Sequence, residues 1–177
     1  GDVNLPEKDM HTTSYWFTIP RDPLRKLNFN PAELIDGLSA LAYTLQHLSA
    51  LFLMADTHDI DRSLGDKSGE WFVSQGKTGR VITSFNAGRP EMADHKTGAR
   101  IDEFDPTIFI FDSYPGGIGF SELLYHEHAN LLLAAKNLIE KCPCASGCPS
   151  CVGPTLEVGK TAKDIVPKII DLVLGKS

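Results

Sequence analysis

All four cysteines of the chain fall in one short run, Cys142-Pro-Cys144-Ala-Ser-Gly-Cys148-Pro-Ser-Cys151, a C-x-C-x3-C-x2-C spacing that leaves none over. Few features restrict a fold more. Four thiolates delivered from a single loop can close around one tetrahedral ion with bonds of about 2.3 Å. Gly147 and Pro149 suit the tight knuckle this requires. The spacing predicts a structural zinc site with Cys142, Cys144, Cys148 and Cys151 as ligands. With sulfur in all four positions no place is left for water, so the metal should tie the end of one helix to the start of the next. Three other readings compete. Two disulfides are disfavoured by the crowding and by the expected reducing compartment. An iron-sulfur cluster usually follows a C-x2-C-x2-C-x3-C order, which is not present. A Cys148–Cys151 redox pair would leave Cys142 and Cys144 unexplained.

The chain has 177 residues, 42% of them hydrophobic, enough for one domain with a real core and short for two. A single zinc-binding domain over 1–177 is expected. No charged n-region precedes an apolar h-region, and no run of about 18 uncharged apolar residues occurs, so the expected location is cytoplasmic, with no membrane partner. The opening Gly1-Asp2-Val3 lacks an initiator Met and suggests a processed tag or, the preferred reading, a segment excised from a longer chain. A net charge of −6 argues against a generally basic nucleic-acid-binding surface. Residues 62–100 run against that balance at net +3, with Arg62, Lys77, Arg80, Arg89, Lys96 and Arg100 among them. These are candidates for a phosphate-contacting loop, although a solvated loop is the preferred reading.

Residues 12–19, rich in aromatic and β-branched types and closed by Pro20, predict a strand. Asn30, Pro31 and Glu33 form a helix start with a capping box. Leu34, Leu38, Leu41, Leu45, Leu48 and Phe52 then recur at helical spacing, and Ile35, Ala42, Leu51 and Leu53 widen the stripe of a largely buried helix. From Asp56 to Asp105 the chain turns polar and Gly-rich, with only Trp71–Val73 and Arg80–Phe85 strand-like. Thr107–Phe111 predicts a buried strand ending at Asp112 and a Pro-Gly-Gly-Ile-Gly turn. One helix from about Ser121 to Lys141 should follow, lined by Leu124, His128, Leu131, Ala135 and Leu138. A last amphipathic segment spans Ala162–Leu174, with Pro167 near its start. The fold class expected is α+β: a small mixed sheet packed by about three helices, with the metal loop between the last two.

Other constellations fail on spacing or context. A zinc deaminase pairs P-C-x-x-C with H-x-E, which His126-Glu127-His128 does not supply. His128 falls in the apolar stripe and is expected to be a satisfied core histidine. Gly76-Lys77-Thr78 and Gly159-Lys160-Thr161 lack the first glycine of a phosphate loop at the required distance, and Gly117-Ile-Gly119 lacks the third glycine of a dinucleotide fingerprint. Asp59, Asp61, Ser63 and Glu70 fall at calcium-loop positions, but Leu64 stands where that loop needs glycine.

Several stretches together resemble the C-terminal zinc-binding domain of MrfA-type, YprA-like superfamily 2 DNA helicases. They are Met10-His11-Thr12-Thr13 with Trp16 and Pro20, the helix Gly37–Met54 running into Asp56 and Asp59-Ile60, the run Phe111–Gly119, and Cys142–Gly153. Residues 61–105 match nothing in that pattern and are a candidate insertion. The resemblance implies a parent that is an ATP-dependent 3′-to-5′ DNA translocase or helicase associated with DNA repair. It implies that this chain is its noncatalytic accessory domain, with the motor domains and DNA as partners. ATP would bind the parent only, since no Walker A loop is present here. Two alternatives stand beside this: a small enzyme with an acidic site around Asp56, Asp59 and Asp112, and a protein-interaction module.

Overall fold

The computed structural model describes residues 11–66, 71–76, 79–84 and 105–176. Its strands are β1 (Ser14–Thr18), β2 (Ile60–Asp66), β3 (Trp71–Gly76), β4 (Gly79–Ser84) and β5 (Pro106–Asp112). The helices are α1 (Arg21–Arg25), α2 (Pro31–Leu53), α3 (Phe120–His126), α4 (His128–Lys141), α5 (Thr155–Val158) and α6 (Ala162–Val173). The α+β class expected from the sequence is what forms. The strands lie in the order β1-β5-β2-β3-β4. Every pairing among the described residues is antiparallel, so the sheet they form is not mixed as expected. The β2–β3–β4 succession needs only short connections, which antiparallel strands accept and parallel ones do not.

β5 sits between β1 and β2, with Ile108 opposite Phe17 and Leu64, and Ile110 opposite Tyr15 and Arg62. One face of this trio therefore carries Tyr15, Ile60, Leu64, Ile108 and Ile110, all buried. The polar sequence Ile60–Asp66 offers little strand propensity, and no strand was expected there. It forms one because it pairs along its whole length with β5 and backs onto α2. The same strand disposes of the calcium-loop spacing: Asp61 and Ser63 lie within it, and Glu70 lies outside the described residues.

α2 begins as its capping box dictates. The Glu33 N–H donates to Asn30 Oδ1 at 2.9 Å, and the Asn30 N–H donates to Glu33 Oε2 at 3.0 Å. Leu34, Leu38, Leu41, Leu45 and Leu48 are buried, and the helix packs against α4, α6, β2 and β5. Gly37 permits the approach of α6, since a Cβ there would lie 2.3 Å from Ile165 Cγ2. The buried stripe stops at Ala50, whereas Leu51 and Phe52, expected to extend it, are exposed. Met54 closes the helix with φ 51°.

The single helix expected over Ser121–Lys141 is two, broken at Glu127 (φ −91°, ψ 9°). The break re-phases the buried stripe. Leu131, Leu132, Ala135 and Ile139 are buried on α4, and Leu138, placed on that face by periodicity, is exposed. Short α5 stands between the cysteine loop and α6, so the loop does not join two long helices directly.

Candidate metal centre

α4 delivers the first ligand position. Cys142 leaves the helix in extended backbone (φ −68°, ψ 127°), its N–H still held by the Leu138 carbonyl at 3.2 Å. The chain reverses at Gly147 (φ 113°), where a Cβ would lie 2.5 Å from Val152 Cγ2. A knuckle follows in which the Cys148 carbonyl accepts the N–H groups of Cys151, Val152 and Gly153 at 3.0, 3.2 and 3.1 Å. The Cys148 N–H points inward and donates to Cys151 Sγ at 3.3 Å.

The four sulfurs lie within 4.8 Å of one another. Cys142–Cys148 and Cys148–Cys151 are each 3.6 Å apart, and Cys144–Cys151 is 3.5 Å. A regular tetrahedron with bonds of about 2.3 Å has edges of about 3.8 Å, so the spacing fits four sulfurs around one ion. It does not fit a disulfide, whose S–S bond is about 2.05 Å, and all four thiols are free. A multi-iron cluster would spread its thiolates across several metal atoms, and a set this tight has room for one. Burial pushes the Cys151 thiol up to about 12. Burial also opposes ionisation of Cys144, but donors from Cys142, Cys151 and the Gly147 backbone outweigh it and bring that thiol down to about 7. Without metal the cluster therefore retains protons that an ion must displace.

Three side chains seat the loop, and sequence reasoning named none of them. Thr44 on α2 donates to the Cys151 carbonyl at 2.8 Å, and Tyr43 O–H donates to the Pro149 carbonyl at 2.9 Å. On α6, Lys163 Nζ donates to the Cys142 carbonyl at 2.6 Å and also to that of Cys144. The available signal was a fully buried threonine position inside the leucine stripe of α2, since a buried hydroxyl needs a partner.

The acidic residues do not gather into a site. Among the described residues the cysteines are the one cluster able to hold a metal. Asp56 Oδ1 accepts from the His58 N–H and ring, which holds its carboxyl below the usual range. Asp59 Oδ1 accepts from Tyr114 O–H at 3.0 Å. Buried Asp112 accepts through Oδ2 from the Thr13 hydroxyl and the N–H groups of Ile118 and Gly119. Thr12 Oγ1 donates to the Asp112 carbonyl, and the Gly116 N–H to the His11 carbonyl, so the His11–Thr13 stretch and the glycine turn form one braced unit. His128, expected in the core, is half-buried and packs edge-on against Tyr15 and Phe17, with Nδ1 on the Tyr15 hydroxyl. Arg62 lies 4.9 Å over the Tyr43 ring and donates to Gln46 Oε1. Lys77, Arg89, Lys96 and Arg100 lie outside the described residues.

A family model, the MrfA Zn-binding domain, matches residues 41–152 and takes in all four cysteines. The chain belongs to this family. Its cofactor is zinc. Over 171 residues it is 30% identical to the "Uncharacterized ATP-dependent helicase YprA" of Bacillus subtilis (strain 168), covering 97% of this chain and 18% of that protein. An uncharacterized protein of Methanocaldococcus jannaschii is 42% identical over 48 residues, 27% of this chain and 43% of that one. Among solved structures, the chain is similar to the DUF1998 helicase MrfA bound to DNA, with TM-score 0.60 and 27% identity over 98% of this chain and 18% of the helicase. The same helicase bound to DNA and AMPPNP gives TM-score 0.56 and 27% identity over 97% and 17%. The family member described here thus spans 18% of the length of the helicase relative it matches in sequence.

Proposed function

We propose that this chain is the zinc-binding accessory domain of an ATP-dependent DNA helicase associated with DNA repair, and that Cys142, Cys144, Cys148 and Cys151 hold its zinc ion. The observation that carries this reading is the convergence of four sulfurs, within 4.8 Å, in a chain of the MrfA Zn-binding domain family. Filled by four thiolates, the ion has no position for substrate or water, so it is structural and the domain is noncatalytic. What zinc supplies is cohesion: it clamps the end of α4 to the knuckle seated on α2. The partners are the motor domains of the parent chain and, through the parent, DNA. The similarity to a helicase solved with DNA supports both. Residues 61–105 are an insertion that extends the sheet through β3 and β4, within a single domain near the parent's C-terminal end. No helix among the described residues is long and apolar enough to cross a membrane. The similarity to a helicase supports a cytoplasmic location.

The test uses the full-length helicase with and without this domain, and with Cys148→Ser. Loss of domain or metal should weaken DNA binding or unwinding while the motor still hydrolyses ATP. Unchanged binding and unwinding would leave a protein-interaction module as the better description, because that role predicts no salt-dependent DNA affinity.

A further inference from the structure

The loop from Cys142 to Cys151 contains no basic and no acidic side chain other than its thiols. Four thiolates around one divalent ion carry a net charge of −2; within the loop only backbone N–H groups face it, so any full positive charge comes from outside the loop. Its two halves are also held by different elements. The Cys148–Cys151 knuckle is seated on α2 through Tyr43 and Thr44. The Cys142-Pro-Cys144 half gives both cysteine carbonyls to Lys163, on the first turn of α6. Lys163 is partly buried, and its mount is firm, because two residues on Ile165 is packed into the Gly37 notch of α2.

Resting on the four-cysteine reading above, we propose that Lys163 is a positioning residue for the metal: it fixes the Cys142-Pro-Cys144 half in ligating geometry and offsets the charge of the thiolates. Two carbonyls that share one ammonium are held at a set separation, and the backbone carrying both sulfurs is held with them. The ammonium simultaneously brings a positive charge to a ligand set that must ionise to bind. A hydrogen bond to a sulfur is not required, since charge acts through space and orientation through the backbone.

The experiment measures zinc transfer from the purified chain to a chromogenic chelator, alongside metal content. Lys163→Met should hold one zinc and release it about ten- to a hundredfold faster, the usual scale for a partner that orients a metal ligand. Lys163→Arg, which keeps the cation but replaces the compact ammonium with a planar fork, should release zinc more slowly than Lys163→Met. Lys160→Met, at an exposed lysine three residues away, should match the unmodified chain. If Lys163→Met does not fold, Lys163→Gln keeps a donor without the charge and should fall in between. Release from either neutral variant at the unmodified rate overturns the role of Lys163 while leaving the four-cysteine site standing. An unmodified chain that holds no zinc, or a Cys148→Ser variant that holds it unchanged, overturns the site itself.

Discussion

Removing the Asp112 carboxylate separates a brace from a reactive group. The side chain is 1% exposed, and Oδ2 accepts three hydrogen bonds, from Thr13 Oγ1 at 3.2 Å, the Gly119 N–H at 3.2 Å and the Ile118 N–H. Bonds to a charged acceptor contribute about 1.5–3 kcal/mol each. Ile118 and Gly119 are exposed, so in Asp112→Ala their N–H groups can turn to water. The loss should then correspond to one or two of the three bonds, about 1.5–6 kcal/mol. For a chain of this size 1 kcal/mol moves the melting midpoint by about 2–4 °C, which gives a fall of roughly 3–24 °C. Asp112→Asn keeps an acceptor oxygen without the charge and should cost about half as much. Thermal unfolding followed by circular dichroism, with zinc in excess, measures both. Midpoints within about 1 °C of the unmodified chain for both variants would refute the bracing argument.

Burial holds the His128 pKa below its ordinary 6.5, so the unfolded chain takes up a proton there before the folded one does. Its contribution to stability is complete above about pH 6.5 and is lost as pH falls through the depressed folded value. His128→Gln should flatten the stability profile of urea unfolding between pH 7 and 5, and an unaltered profile would count against the burial argument. Zinc affinity should fall as pH falls, because thiols at about 7 (Cys144) and about 12 (Cys151) surrender protons to the metal. More than one proton is displaced, so a competitive chelator titration should show a slope of about tenfold or more per pH unit; a flat profile would contradict the thiolate site.

The cysteine cluster was legible in sequence because its four members are contiguous. Four cysteines in one loop must meet in space wherever the loop goes, and local spacing alone carries the information. The capping box of α2 and the core strand β5 were legible for the same reason, since each depends on neighbours a few residues away. What seats the metal loop was not. Thr44 and Lys163 reach it across sequence separations of 107 and 19–21 residues, and no periodicity announces a lysine that caps carbonyls. β2 was hidden because its strand character comes from pairing with β5, not from its own side chains. The break at Glu127 was hidden because the residues on both sides favour helix, and only packing on β1 and β5 below and α2 and α6 beyond demands two directions. The acidic trio was misleading for a related reason: sequence shows three carboxylates, and only the structure shows that each is taken up by its own partners.

The proposed zinc ion sits among Cys142, Cys144, Cys148 and Cys151. X-ray absorption at the zinc edge of the purified chain, combined with elemental analysis, tests it most directly. One zinc per chain surrounded by four sulfurs at about 2.3 Å is expected, with one sulfur lost in Cys148→Ser. Nitrogen or oxygen ligands in the unmodified chain, fewer than four sulfurs, or iron with metal–metal scattering would contradict it.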